Sequence, residues 1–143
     1  MATLVEIVEA LTEALQPITA EIDGLQLYPF FNANPTPPSI DIYPGDPFQS
    51  GSGFGPDQEL FFTVRARTTT ADHESGQRCL LRLLDRNDPA SVQDALEADQ
   101  SLGGTVQTVA VPDEGVSGYT EYLDDVSSNG RLLGCQWRVQ VIA

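Results

Sequence analysis

The sequence predicts an α+β domain: one mainly antiparallel sheet of about four to five strands, with an N-terminal helix and two central helices packed on it. Three observations carry this. Apolar residues recur at spacings of three and four at the start of the chain and again in its middle, the signature of amphipathic helices. On either side of the middle stretch they alternate with period two, so strands flank helices. At 143 residues, a single domain spanning 1–143 can remove roughly two thirds of its unfolded surface from water.

In the first segment Leu4, Ile7, Val8, Leu11 and Leu15 form one helical stripe, and Glu6, Glu9 and Glu13 take the other side. Thr3 and Glu6 have the spacing of a capping box, and Pro17 marks the end of the helix. "GLQLYPF" (Gly24 to Phe30) alternates as a short strand. The proline-rich "NANPTPPS" after it lacks the N–H groups for a ladder and reads as an extended connector. "SIDIYP" is a second strand, with Ile40 and Ile42 against Asp41 and Tyr43.

Glycine, serine and proline fill "GDPFQSGSGFGPDQ", Gly45 to Gln58, and predict a long mobile loop suited to partner contact. Its "GSGFG" is loop punctuation: no helical pattern follows directly, and the chain has no lysine for a phosphate loop. From Glu59, Leu60, Phe62, Val64 and Ala66 alternate with Phe61, Thr63, Arg65 and Arg67 in a clear strand.

"TTTADHESGQRCLLRLLDRN" turns helical. Leu80, Leu83 and Leu84 form its apolar stripe, and Arg78, Arg82 and Arg86 are spaced by four on a polar one. "NDPASVQDALEAD" begins another helix, with Asp88 read as the cap and Pro89 in the first turn. Gly103 and Gly104 release the chain into "TVQTVAV", whose valines fall on both parities, so a strand covered on both faces or carrying a bulge is expected. "PDEGVSGYTEY" reads as an acidic, aromatic loop, and "SSNG" as a turn. In the last strand Leu133, Cys135, Trp137, Val139 and Val141 share one face.

Composition narrows the function. Twenty-one acidic residues stand against seven basic ones, all arginine, for a formal charge of −14. Such a surface repels phosphates and argues against gripping nucleic acid; two readings of it stay open, that it only keeps the chain soluble or that it suits a wall past which DNA must slide. No run is apolar enough to cross a bilayer, and the glutamate-interrupted N-terminus is unlike a secretory signal, so synthesis in the cytoplasm is expected. Cys79 and Cys135 lie in apolar settings as small hydrophobes. With His73 the sole histidine, no metal site, cofactor site or catalytic constellation is predicted.

Five of the seven arginines, Arg65, Arg67, Arg78, Arg82 and Arg86, fall within one stretch. Two readings of that cluster stay open. Either it is a solvated face with ion pairs to Asp72, Glu74 and Asp85, or it meets acidic residues of an adjacent subunit.

The run from "PPSIDIYPGDPF" through "GFGP", "LFFTVRART", "GQRCLLRLLD", "VQDALEAD", "LGGTVQTVAV", "VSGY" and "LLGCQWRVQVIA" resembles the tail terminator, or tail completion, proteins of long-tailed bacteriophages. The similarity covers nearly the whole chain and rests on the order of these structural signatures. It implies a small α+β subunit that assembles as a hexameric ring on the head-proximal end of the tail tube. There the ring stops polymerisation of the major tail tube protein and offers a docking surface to the head-closure or neck protein. DNA passes through without specific binding, the protein resides in the neck of the virion, and no enzymatic activity is implied.

The residues expected at interfaces are Phe48 and Phe54 on the loop, Arg65, Arg67, Arg78 and Arg82 in the arginine cluster, and Asp113, Glu114, Tyr119 and Tyr122 near the final strand. The nearest rival reading is a head-closure or other neck adaptor protein. More distant rivals are a small enzyme and a monomeric ligand-binding domain.

Overall fold

The computed structural model of the protein describes residues 3–31, 38–49, 59–69, 73–123 and 131–142. It is an α+β fold built on one sheet. Helix α1 (Leu4–Leu15) starts where Thr3 Oγ1 accepts from the Glu6 amide at 3.2 Å, and a 3-10 turn, Gln16–Ala20, carries the chain past Pro17. Strands β1 (Gln26–Tyr28), β2 (Ser39–Gln49) and β3 (Glu59–Thr69) follow, then helices α2 (His73–Leu84) and α3 (Val92–Glu97). The chain closes with β4 (Thr108–Ala110), a 3-10 turn at Asp113–Gly115, β5 (Val116–Leu123) and β6 (Arg131–Ile142).

The sheet runs β1-β2-β3-β6, and β4 and β5 share the outer edge of β6. β1 pairs with β2 in parallel, and every other pairing is antiparallel. β3 and β6 form the central pair, in unbroken register from Glu59 opposite Ile142 to Thr69 opposite Leu132. The helices cover one sheet face. Ile7, Leu11 and Leu15 of α1, Leu80 and Leu83 of α2, and Leu96 of α3 join Ile40, Ile42, Leu60, Phe62, Val64, Trp137 and Val139 in one core. Burying each large side chain contributes about 1.5–3 kcal/mol, so this face drives folding.

Four expectations are corrected. The sheet has six strands, more than the four to five predicted, because residues after the Asp113–Gly115 turn form β5 where a loop was expected. Its pairing with β6 runs through the backbone, which tolerates acidic and aromatic side chains alike. Of the loop expected over 45–58, Gly45 to Gln49 instead continue β2 across a register shift between Pro44 and Gln49, and residues 50–58 lie outside the described residues. Helix α3 is capped by Ser91, whose Oγ accepts from the Asp94 amide at 3.3 Å; Asp88 serves the turn before it, accepting from the Ala90 amide at 2.9 Å. The extended run after Gly104 shortens to Thr108–Ala110 because Val106 closes the preceding turn, donating to the Ser101 carbonyl at 3.1 Å. Val109 and Val111 then share one parity and are buried.

Candidate functional site

The arginine stretch divides between the two sides of the sheet. Arg65 and Arg67 alternate with the core-facing Val64 and Ala66, so they point away from the helices. Both are buried, as is Asp41, the register partner of Arg65. Arg65 donates from Nε to Asp41 Oδ1 at 3.0 Å and from Nη2 to Oδ2 at 2.5 Å; Arg67 Nη2 donates to the same Oδ2 at 3.2 Å. The Arg65 guanidinium lies 4.9 Å from the Phe31 ring centroid and 5.0 Å from that of Tyr43, and the two rings meet edge to face. Burial pushes the Tyr43 phenol above its ordinary pKa, and the Arg65 charge opposes that. This is a fixed internal network.

Arg78 and Arg82 of α2, and Arg86 just past its end rather than on the helix as expected, also meet carboxylates of their own chain. Arg78 pairs with Glu74 one turn away on an exposed face, at 2.8 Å. Arg82 holds Asp88 at 3.1 Å and Glu21 at 3.6 Å, and donates to the Glu21 carbonyl at 2.7 Å. The bond from Arg82 is the main reason the Asp88 carboxyl lies below its usual range and Arg82 above its own. Arg86 reaches Asp94 at 3.5 Å and also pairs with Glu97. Of the three acidic partners expected, only Glu74 is seen in a pair; Asp72 lies outside the described residues. Arg82 and Arg86 instead tie α2 to the turn after α1 and to α3.

An apolar groove of about 210 Å³ opens where the start of α1 meets β2. Leu4, Val5, Phe30, Phe31, Pro44 and Phe48 are among its lining residues. Leu4 is 47% exposed, Val5 51%, Phe30 53% and Phe31 59%, values that place four large apolar side chains on one surface. Phe48, an expected contact residue, is partly buried there and meets Phe62 edge to face with ring centroids 5.4 Å apart. Phe54 lies outside the described residues. The groove went unpredicted because Leu4 completes the helical stripe, yet the stripe extends beyond the sheet it covers. Val5, one residue off that stripe, was the available signal.

Asp113 and Glu114 occupy the exposed 3-10 turn between β4 and β5. Asp113 is held by Gln93, whose Nε2 donates to its Oδ1 at 3.1 Å and to the Val111 carbonyl at 3.3 Å. Glu114 makes no side-chain hydrogen bond or ion pair among the described residues. Tyr119 and Tyr122 belong to β5, Tyr122 opposite Leu132, but their side chains lie outside the described residues.

The thiols are poor nucleophiles: burial raises Cys79 and pushes Cys135 up to about 12. Among the described residues no three His, Cys, Asp or Glu side chains cluster to hold a metal ion, and no helix is long and apolar enough to cross a membrane. No family model matches the chain, and no curated protein matches it.

Proposed function

We propose that this chain is a structural virion subunit that caps the head-proximal end of a phage tail tube. A ring of copies ends tube polymerisation and presents the surface on which the neck of the filled head docks. The subunit works through selective contacts and performs no bond chemistry. The observation that carries this reading is the exposed apolar cluster of Leu4, Val5, Phe30 and Phe31 around the groove. A contiguous apolar patch of this kind marks a contact surface. The formal charge of −14 adds support, since an acidic ring lets DNA pass without holding it.

The test is assembly of tail tubes with and without this chain, viewed by negative-stain electron microscopy. Tubes of defined length ending in a ring are expected when it is present, and overlong tubes when it is absent. Normal tails joined to leaking heads would overturn the terminator reading in favour of a neck adaptor.

A further inference from the structure

Arg138 differs from the other arginines whose side chains are described. Arg65, Arg67, Arg78, Arg82 and Arg86 each meet a carboxylate of this chain. Among the described residues Arg138 meets none, and its guanidinium instead lies over the Phe61 ring, 4.1 Å from the centroid. Such stacking fixes the orientation of the guanidinium and leaves its N–H edge able to donate.

The surroundings are closely built. A Cβ on Gly115 would come within 3.0 Å of Arg138 Cβ, and one on Gly45 within 3.1 Å of the Phe61 carbonyl oxygen. Two glycines thus let neighbouring backbone approach Phe61 and Arg138 closely at their backbone and Cβ atoms. A polar cleft of about 270 Å³ lies here, lined by Thr63, Glu114, Ser117, Gln136 and Arg138 along with both glycines. Thr63, Ser117 and Gln136 make no side-chain hydrogen bond among the described residues. Three neutral groups able to donate therefore share the cleft with one oriented cation.

We propose that this cleft is a socket for a carboxylate carried by a second copy of the chain. A carboxylate matches the planar fork of a guanidinium bidentately, and the hydroxyls and amide can donate to its remaining lone pairs. Glu114 brings the cleft's formal charge to zero, which disfavours a phosphate dianion and leaves a monoanion the better fit. A copy of this chain brings such groups in surplus, with 21 acidic residues against seven basic. The expectation that the arginine cluster receives a neighbour's carboxylates thus moves to Arg138, because the cluster already serves its own chain. The second copy as the source rests on the ring reading above; the preference for a carboxylate does not.

The test is sedimentation velocity of the full chain over a concentration series, comparing wild type with Arg138→Gln, Arg138→Lys and Gln100→Glu. Near-UV circular dichroism of Trp137 checks folding. Wild type is expected to self-associate, with the dissociation constant raised at least about tenfold in Arg138→Gln. Arg138→Lys, which keeps the charge and loses the fork, is expected to be weakened too and serves if Arg138→Gln does not fold. Gln100→Glu, with the same change in net charge as Arg138→Gln at an exposed position outside the cleft, is expected to match wild type. Glutarate is expected to shift the Ser117 and Gln136 amide resonances in wild type and not in Arg138→Gln.

Equal association of wild type and both Arg138 variants would overturn the proposal, as would a wild type monomeric at every concentration. Glutarate shifts in a strictly monomeric protein would overturn the second copy as the source. Arg138-dependent association in a protein that leaves tail tubes uncapped would support the socket while overturning the terminator reading.

Discussion

Asp41 and Arg65 are direct register partners on β2 and β3, joined by two hydrogen bonds in a site where both side chains are buried. Arg67 adds a third bond to the same carboxylate. One anion therefore faces two guanidinium groups removed from water, and its loss leaves both charges buried without it. Asp41→Asn is expected to cost about 3–5 kcal/mol, read from the urea midpoint at unchanged slope. A loss below about 1 kcal/mol would mean that the triad is wetter than its burial implies.

That triad shows where sequence reading stops. The alternation in "LFFTVRART" separates Val64 and Ala66 from Arg65 and Arg67, and the structure keeps that division. Alternation reports which face a side chain occupies, not whether that face is covered. Arg65 is flanked by Phe31 and Tyr43, residues distant in sequence: the β2–β3 register brings Tyr43 beside it, and the chain beyond β1 brings Phe31. β3 and β6 were legible because the helices cover one of their faces, so their patterns are clean. β5 was not, because its place in the sheet is set by backbone pairing along β6. Arg138 sits at a polar position of a legible strand, but its stacking on Phe61 requires the register of two strands far apart in sequence.

The apolar groove separates stability from function. Val5 and Phe30 are more than half exposed, so a polar replacement removes little buried area. Val5→Ser and Phe30→Ser are each expected to change unfolding free energy by no more than about 0.5 kcal/mol, measured by urea denaturation. If the groove is the docking surface, the same variants lengthen tubes in the capping assay. Wild-type tube lengths from both variants would remove the groove from the proposed role.

Acid stability should depend on Asp99 and Asp88. The Asp99 carboxylate accepts from the Gly103 amide at 2.8 Å and from the Ser101 amide and hydroxyl, and these bonds hold its pKa below the ordinary 3.8. Asp88 is lowered mainly by Arg82. A folded pKa below the unfolded one contributes stability that is present above the unfolded value and is lost as pH falls through the folded value. The loss is therefore expected below about pH 4, and Asp99→Asn should flatten the acid limb of midpoint against pH. An unchanged limb in the Asp99→Asn, Asp88→Asn double variant would show that neither group titrates with folding.

At the alkaline end the largest shift among the described residues is that of Cys135, a buried thiol between Gly134 and Gln136 on β6, pushed up to about 12 by burial. The unfolded thiol ionises near 9.0, so its contribution is complete below that value and is lost as pH rises from about 9 towards 12. Between those limits one extra proton is bound by the folded state, giving a slope of about 1.4 kcal/mol per pH unit. Tyr43, also raised, adds to the decline above its ordinary 10.0. Cys135→Ala removes the thiol and should give a shallower alkaline limb, whatever the cavity does to absolute stability. Alkylation at pH 8 gives an independent measure: the folded Cys135 thiolate fraction is about one in ten thousand, so labelling should follow unfolding, with half-buried Cys79 modified first. Rapid labelling of Cys135 in the native protein, together with an alkaline limb identical in Cys135→Ala, would show that this strand opens locally and exposes the thiol.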